Sequence, residues 1–328
     1  MPYCPNCGSP VGEGDRYCTK CGSSLASEPE QSGIACLDAS EKPQVSTGEL
    51  VSEAVRSLFA PSPVTATPSC EIYSRPPARP LWKYMIFAVV LLATGLLFGY
   101  GEAWIRYMGY TVAGFSAPIL YVAWMVSNDR YEREPLSLVA MTFGLGAFVS
   151  IFAAVLNAFL VVPLLGPPGA AFVEEPLKLL AVFWLARHRE LGSEFNDHLD
   201  GMLYGAAAGA GFGGLENFLY IFDMVVNGGT PPLLAVAVRT ASSFCHIAWT
   251  AMAGRSLGLA KALRGESRAS DMIPGLVAVV PLHFLWNSAP TSVSLFLLLP
   301  LFIVVLIRQV RTAQLDEARW DFRAQHGP

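Results

Sequence analysis

The sequence predicts an all-α polytopic membrane protein of about eight transmembrane helices, preceded by a small zinc-ribbon module and a disordered linker. Three observations predict it. Of 328 residues, 53% are hydrophobic and only 15% charged, where soluble chains average about 25% charged. The mean hydropathy is +0.42, and the apolar residues are concentrated after residue 80. Basic residues then recur in alternate loops between the apolar stretches, the asymmetry that orients helices across a bilayer. The net charge of −4 comes with no basic stripe, which argues against nucleic acid as a partner and leaves the lipid bilayer as the surroundings.

Residues 1–22 carry Cys4-x-x-Cys7 and Cys18-x-x-Cys21, with Gly8 and Gly22 following the second cysteine of each pair. Two such knuckles supply four thiolates for a tetrahedral zinc site. Four thiolates leave no open coordination position, so this zinc is expected to be structural. The opening Met1-Pro2-Tyr3 has no charged segment leading into an apolar one. The N-terminal region is therefore expected to stay in the cytoplasm, where thiols bind metal rather than pair as disulfides. The ribbon's expected partner is a cytoplasmic protein.

Residues 23–80 are rich in Ser, Pro, Ala and Glu and read as a flexible linker, with no more than a transient helix over 46–60. Cys36 and Cys70 have no partners at ligand spacing. Residues 81–310 form the multi-span domain, and 311–328 a cytoplasmic tail.

The expected spans are 83–101, 110–127, 137–161, 169–186, 199–222, 232–254, 272–289 and 291–308, each close to the roughly 20 residues that cross a hydrocarbon core. Arg130 and Arg133 follow span two, Arg187 and Arg189 span four. Arg255, Lys261, Arg264 and Arg268 follow span six, and Arg308 and Arg311 span eight. This pattern predicts a multi-pass cell-membrane protein with both termini cytoplasmic.

Four spans hold residues that lipid excludes, at roughly 2.5–3.5 kcal/mol for a charge at the helix centre. They are Glu174, Glu175 and Lys178; Phe212-x-x-x-Glu216-Asn217; His246; and His283-x-x-x-Asn287. Because neighbouring spans are antiparallel, most of these positions fall at one depth in the outer leaflet, with His246 deepest. Spacings of three and four put Lys178 on the face of both glutamates and Asn287 on the face of His283. Arg239, near the outer start of span six, reads as an interfacial snorkeller, and Cys245 as core. Gly201, Gly205, Gly209 and Gly213 form a ridge on span five that allows close helix approach.

His-Glu-x-x-His and Gly-x-Ser-Gly are absent, and Gly-x-Gly-Asp occurs once, at Gly12–Asp15 in the ribbon and not in an apolar span. What remains is carboxylate, histidine and asparagine. Such a set can activate water through a glutamate base, with His and Asn polarising the substrate. It can equally hold a metal that acidifies bound water.

In order and spacing, Glu174-Glu175-x-x-Lys178, Phe212-x-x-x-Glu216, His246 and His283-x-x-x-Asn287 resemble the motifs of the PrsW family of intramembrane proteases, relatives of the CAAX-prenyl endopeptidases. Asp129-Arg130-x-Glu132-x-Glu134-Pro135 is similar to that family's loop before the third span. The resemblance spans roughly residues 83–310 and leaves out the ribbon and linker. It implies cleavage of a membrane-anchored protein, typically an anti-sigma factor, near the outer face. It also implies that Glu174 and Glu175 activate water and that Asn287 is an oxyanion donor. Glu216, His246 and His283 would be polarising groups or ligands of a catalytic zinc or other divalent ion. Lys178, Phe212 and Asn217 would be supporting residues. The competing expectation is a non-enzymatic receptor or scaffold that binds a lipid or peptide in the polar cavity. Ion or proton transport is disfavoured, since no polar residues continue towards the cytoplasmic ends of spans four, five and seven.

Overall fold

The computed structural model describes residue 12 and residues 45–62, 78–130 and 133–319, and within these it is all-helical. Cys4, Cys7, Cys18 and Cys21 lie outside the described residues. The helices are α1 (Thr47–Phe59), α2 (Trp82–Phe98), α3 (Ala103–Asn128), α4 (Leu136–Leu156), α5 (Ala171–Arg187), α6 (His198–Phe222), α7 (Pro232–Arg264), α8 (Met272–Ser288) and α9 (Leu299–Arg319). π-turns at Asn157–Val161 and Asp223–Asn227 prolong α4 and α6, and a third, Ser294–Leu298, leads into α9.

A helix stands at each expected span, but among the described residues four stretches are long and apolar enough to cross a membrane. They are Trp104–Asn128, Leu136–Leu165, Ala269–Ser288 and Thr291–Asp316, with Trp82–Phe98 a shorter apolar helix. The difference from eight has a physical cause. α5, α6 and α7 carry the charged and small residues; α6 sits inside the bundle, while α5 and α7 turn their charged faces inward and expose residues such as Phe172, Leu180, Trp184, Leu233 and Leu234. α6 is buried without interruption from His198 to Gly214. Apolar surface is also turned outward by the peripheral helices, for example at Ile86, Val89, Phe148, Phe152 and Val304. Two expected boundaries also move. α7 runs ten residues past the expected end of span six, to Arg264. α9 continues to Arg319, so much of the expected tail is helix.

The glycine ridge is where α6 meets α7. A Cβ on Gly209 would lie 2.5 Å from the carbonyl oxygen of His246 and 3.0 Å from its carbon. Gly201 and Gly205 face the backbone of Gly254 and Thr250 in the same way, one and two turns along. On another side of α6, Gly211 abuts the carbonyl of Phe143 on α4. α6 is thus clamped backbone-to-backbone between two neighbours.

Within the expected linker, α1 is a docked helix, which corrects the flexible reading of 46–60. Ser46 and Glu49 form a capping box that nucleates it. Leu50 and Ala54 are buried, and Leu50 packs against Leu259 and Ala260 of α7. Glu53 pairs at 3.1 Å with Arg255, whose side chain is 1% exposed. Gln309 of α9 donates to the Ser57 carbonyl at 3.1 Å, and Arg264 donates to the Val45 carbonyl at 2.6 Å. α1 therefore straps the end of the bundle that carries the basic loops. At that same end Asp129 accepts the Glu134 amide at 2.7 Å, and Tyr204 donates to the Glu134 carboxylate. Burial pushes the Asp129 carboxyl from its ordinary 3.8 up to about 7. It holds its proton in the fold where the unfolded chain has lost it, so its contribution weakens as pH rises through that window.

Two substitutions test these contacts. Gly209→Ala forces α7 away from α6 and should cost about 1–3 kcal/mol, seen as a lower thermal midpoint in detergent; an unchanged midpoint would contradict the seam. Glu53→Ala leaves a buried guanidinium without its carboxylate and should cost about 3 kcal/mol. Limited proteolysis should then cut within 45–62 sooner than in the unmodified chain.

Candidate active site

The polar residues of four helices converge, joined by Asn157 from the π-turn after α4. Glu174 and Glu175 are in the first turn of α5, Glu216 and Asn217 near the end of α6, His246 near the middle of α7, and His283 and Asn287 in the last turns of α8. The backbone of His246 lies against Gly209, with Gly213 beside its side chain, and that side chain reaches the Glu216 carboxylate.

Glu175 accepts two hydrogen bonds on Oε1, from Lys178 Nζ at 2.5 Å and His283 Nδ1 at 2.7 Å. Lys178 is fully buried. Its ammonium also reaches His246 Nδ1 at 3.1 Å and lies 4.8 Å from the centre of the Phe212 ring, a cation–π contact. An ammonium only donates, so His246 accepts at Nδ1 and carries its proton on Nε2. That proton is donated to Glu216 Oε2 at 2.6 Å. His283 has the opposite tautomer. Nδ1 donates to Glu175, and Nε2 accepts from the Asn287 amide at 3.1 Å. The His283 ring stacks on Trp249 with centroids 4.4 Å apart, which fixes its plane.

Asn287, expected as an oxyanion donor, has its amide turned towards protein acceptors. One amide hydrogen goes to His283, and the amide also faces the Pro167 carbonyl at 3.4 Å. Its place is to hold the imidazole. Arg239 departs further from expectation. Instead of snorkelling, it donates from Nη2 to Glu216 Oε2 at 2.8 Å and from Nε to Asn217 Oδ1 at 3.0 Å. Its guanidinium lies 4.3 Å from the centre of the Tyr220 ring. Asn217 in turn donates to the Gly114 carbonyl at 2.9 Å and to Ser243 Oγ at 2.5 Å.

Asn157, Trp249 and Ser243 were missed by sequence reasoning. Asn157 opens the π-turn after α4 and donates to Glu174 Oε1 at 2.8 Å. An amide near the end of an otherwise apolar span was its only signal. Trp249 had none, because a tryptophan in an apolar helix reads as core.

Glu174 differs from the other two carboxylates. Glu175 is matched by Lys178 and Glu216 by Arg239, whereas Glu174 has the Asn157 amide on one oxygen. Its buried Oε2 has no hydrogen-bond partner among the described residues and lies 3.9 Å from both His246 Nδ1 and His283 Nε2. The site as built is short of positive charge at that atom. Donor atoms of Glu174, Glu216 and His246 all lie within 4.8 Å of one another. Two carboxylates and one imidazole suit zinc or a similar divalent ion, which would replace the proton His246 now shares with Glu216 and would satisfy the orphaned Oε2. His283, the third ligand expected from sequence, stands outside that group.

Comparison with known proteins places the cluster within a matched family region. Residues 134–309, which include every residue of the cluster, match the PrsW family intramembrane metalloprotease, and residues 3–25 match a zinc-ribbon domain. The chain is 26% identical over 202 residues to Protease PrsW of Bacillus subtilis, covering 58% of this chain and 88% of that protein. It is 29% identical over 203 residues to Protease PrsW of Halalkalibacterium halodurans, covering 58% and 90%. With Protease PrsW of Clostridioides difficile it shares 32% identity over 118 residues, 32% of this chain and 48% of the relative. No solved structure matches. With its carboxylates, histidines and buried lysine on adjoining helices and more than half its length matched, this chain belongs to the PrsW family of intramembrane metalloproteases.

Proposed function

We propose that this membrane protease cleaves one peptide bond of a membrane-anchored, single-span protein near the outer membrane face, in regulated proteolysis of the kind that removes an anti-sigma factor. Eight spans with both termini in the cytoplasm fit the basic loops, and they set the cluster away from the cytoplasmic side. The observation that carries the reading is the buried, unpartnered Oε2 of Glu174, held by Asn157 among two histidines and a second carboxylate.

Glu174, Glu216 and His246 would hold a divalent ion, which when bound supplies Lewis acidity towards water and the substrate carbonyl. The chain's own residues do the rest. Glu175 is the general base. Lys178 and His283 hold its Oε1, and its Oε2 has no hydrogen-bond partner among the described residues. Oε2 takes a proton from the attacking water, whose oxygen adds to the carbonyl carbon. As the carbon–nitrogen bond breaks, the same proton passes to the leaving amine. Asn287 and Trp249 keep His283 oriented on Glu175, and Phe212 supports the Lys178 ammonium. Cys4, Cys7, Cys18 and Cys21 hold a separate, structural zinc in the ribbon, which recruits a cytoplasmic partner protein.

Two experiments test this division of roles. In host membranes, labelling of new protein termini should reveal cleavage of single-span proteins by the unmodified chain. Cleavage should fall about 10²–10⁴-fold with Glu175→Gln, and also be lost with Glu216→Ala and His246→Ala. Undiminished cleavage in all three would sink the reading, and capture of a partner without any new terminus would favour a receptor. For the metal, the four ribbon cysteines are replaced by serine in the otherwise intact chain, which keeps α1 docked. About one divalent ion per chain should remain. Glu174→Gln should remove it while Glu175→Gln retains it, and an ion lost equally from both would overturn the assignment.

A further inference from the structure

The carbonyl oxygen becomes an oxyanion during hydrolysis at this site, and beside any bound ion a protein donor can meet that charge. Asn287, the residue with the expected role, has its amide turned to His283 and Pro167. Lys178 is fully buried and engaged by Glu175 and His246. The remaining cation is Arg239.

Three features of Arg239 suit the task. Its guanidinium stands one carboxylate from the grouped donors, with Nη2 at 2.8 Å from the Glu216 oxygen that His246 contacts at 2.6 Å. It lies on the open side of the cluster. Side-chain exposure is 18% for Glu216 and 11% for Arg239, against 6% for Glu174, 1% for Glu175 and 0% for Lys178. It also has hydrogens to spare. Of five N–H groups, one on Nε goes to Asn217 and one on Nη2 to Glu216, and among the described residues Nη1 donates to no protein atom. Asn217, Glu216 and the Tyr220 ring fix the guanidinium before any substrate arrives. A donor already aimed at developing charge needs no reorganisation during the reaction.

We propose that Arg239 is a catalytic residue that donates from Nη1 to the carbonyl oxygen of the scissile bond in the tetrahedral transition state. This rests on the protease reading above. As the water oxygen adds to the carbonyl carbon, the π pair of the carbonyl moves onto its oxygen, and the guanidinium meets that charge. The pair returns when the carbon–nitrogen bond breaks, and the nitrogen takes its proton from Glu175.

The test uses the full chain in proteoliposomes with a single-span protein that the unmodified chain cleaves. Arg239→Lys and Arg239→Ala are compared for kcat, KM, thermal midpoint and divalent-metal content. The expected result is a fall in kcat of about 10²–10³-fold for Arg239→Ala, with KM and metal content close to those of the unmodified chain. Added guanidinium ion should restore part of the kcat of Arg239→Ala. Arg239→Lys retains the charge and so separates loss of the donor from loss of folding. If the metal disappears in step with kcat and guanidinium restores neither, Arg239 only holds Glu216 in place and the proposal is overturned. A rise in KM at constant kcat overturns it too. Absence of any cleavage by the unmodified chain would instead bring down the protease reading itself.

Discussion

At Gly201, Gly205 and Gly209 the absence of a side chain lets the backbone of α7 lie directly against α6. The site is assembled around that approach, with α5 and α8 bringing Glu174, Glu175 and His283 to it. Glu216 and His246 project from these two helices, and their 2.6 Å contact exists because the helix axes are close at that level. A single methyl group at Gly209 would strike the backbone of His246. Packing and chemistry therefore cannot be separated in this region. The seam is a stability feature at its basic end and a site-defining feature at the other.

Charge matching is the second organising principle. Burying an unpaired charge is costly, so buried charges come with partners. Lys178 answers Glu175, Arg239 answers Glu216, and Arg255 answers Glu53 of the docked helix α1. Glu174 is the exception. Its carboxylate has an amide instead of a cation, and one oxygen has no hydrogen-bond partner among the described residues. Glu175 Oε2 also has no hydrogen-bond partner among the described residues, but Glu175 has the Lys178 ammonium beside it, so Glu174 is where a metal is expected. The same logic assigns the helix α1 to the folded body and not to a tether. Arg255 is almost wholly buried, and Glu53 is its hydrogen-bonded carboxylate partner.

Much of the site was legible in the sequence because bilayer energetics make intramembrane charges conspicuous. Glu174, Glu175, Lys178, Glu216, His246, His283 and Asn287 stand out against apolar neighbours, and their helical spacing already paired Lys178 with a glutamate. The residues that were missed or misread lack that contrast. Arg239 sits close enough to a helix start to pass for a snorkelling residue. Asn157 is one amide at the end of a long apolar run, and its partner Glu174 is on another helix. The capping box Ser46–Glu49 was a local signal for α1, but docking depends on Arg255 and Gln309, some two hundred residues away.

By itself, the sequence determined the helical class, the positions of the helices, the close-packing glycine ridge and the candidate polar groups. These follow from hydropathy, from 3.6-residue periodicity and from the cost of a charge in lipid, which are properties of single segments. Tertiary structure alone decided which histidine meets which carboxylate, that Asn287 supports an imidazole, that Arg239 turns inward and that Glu174 keeps a free oxygen. Each of these depends on the rotation and axial register of one helix against another. That register is set by backbone contacts such as Gly209 against His246, between residues far apart in the chain.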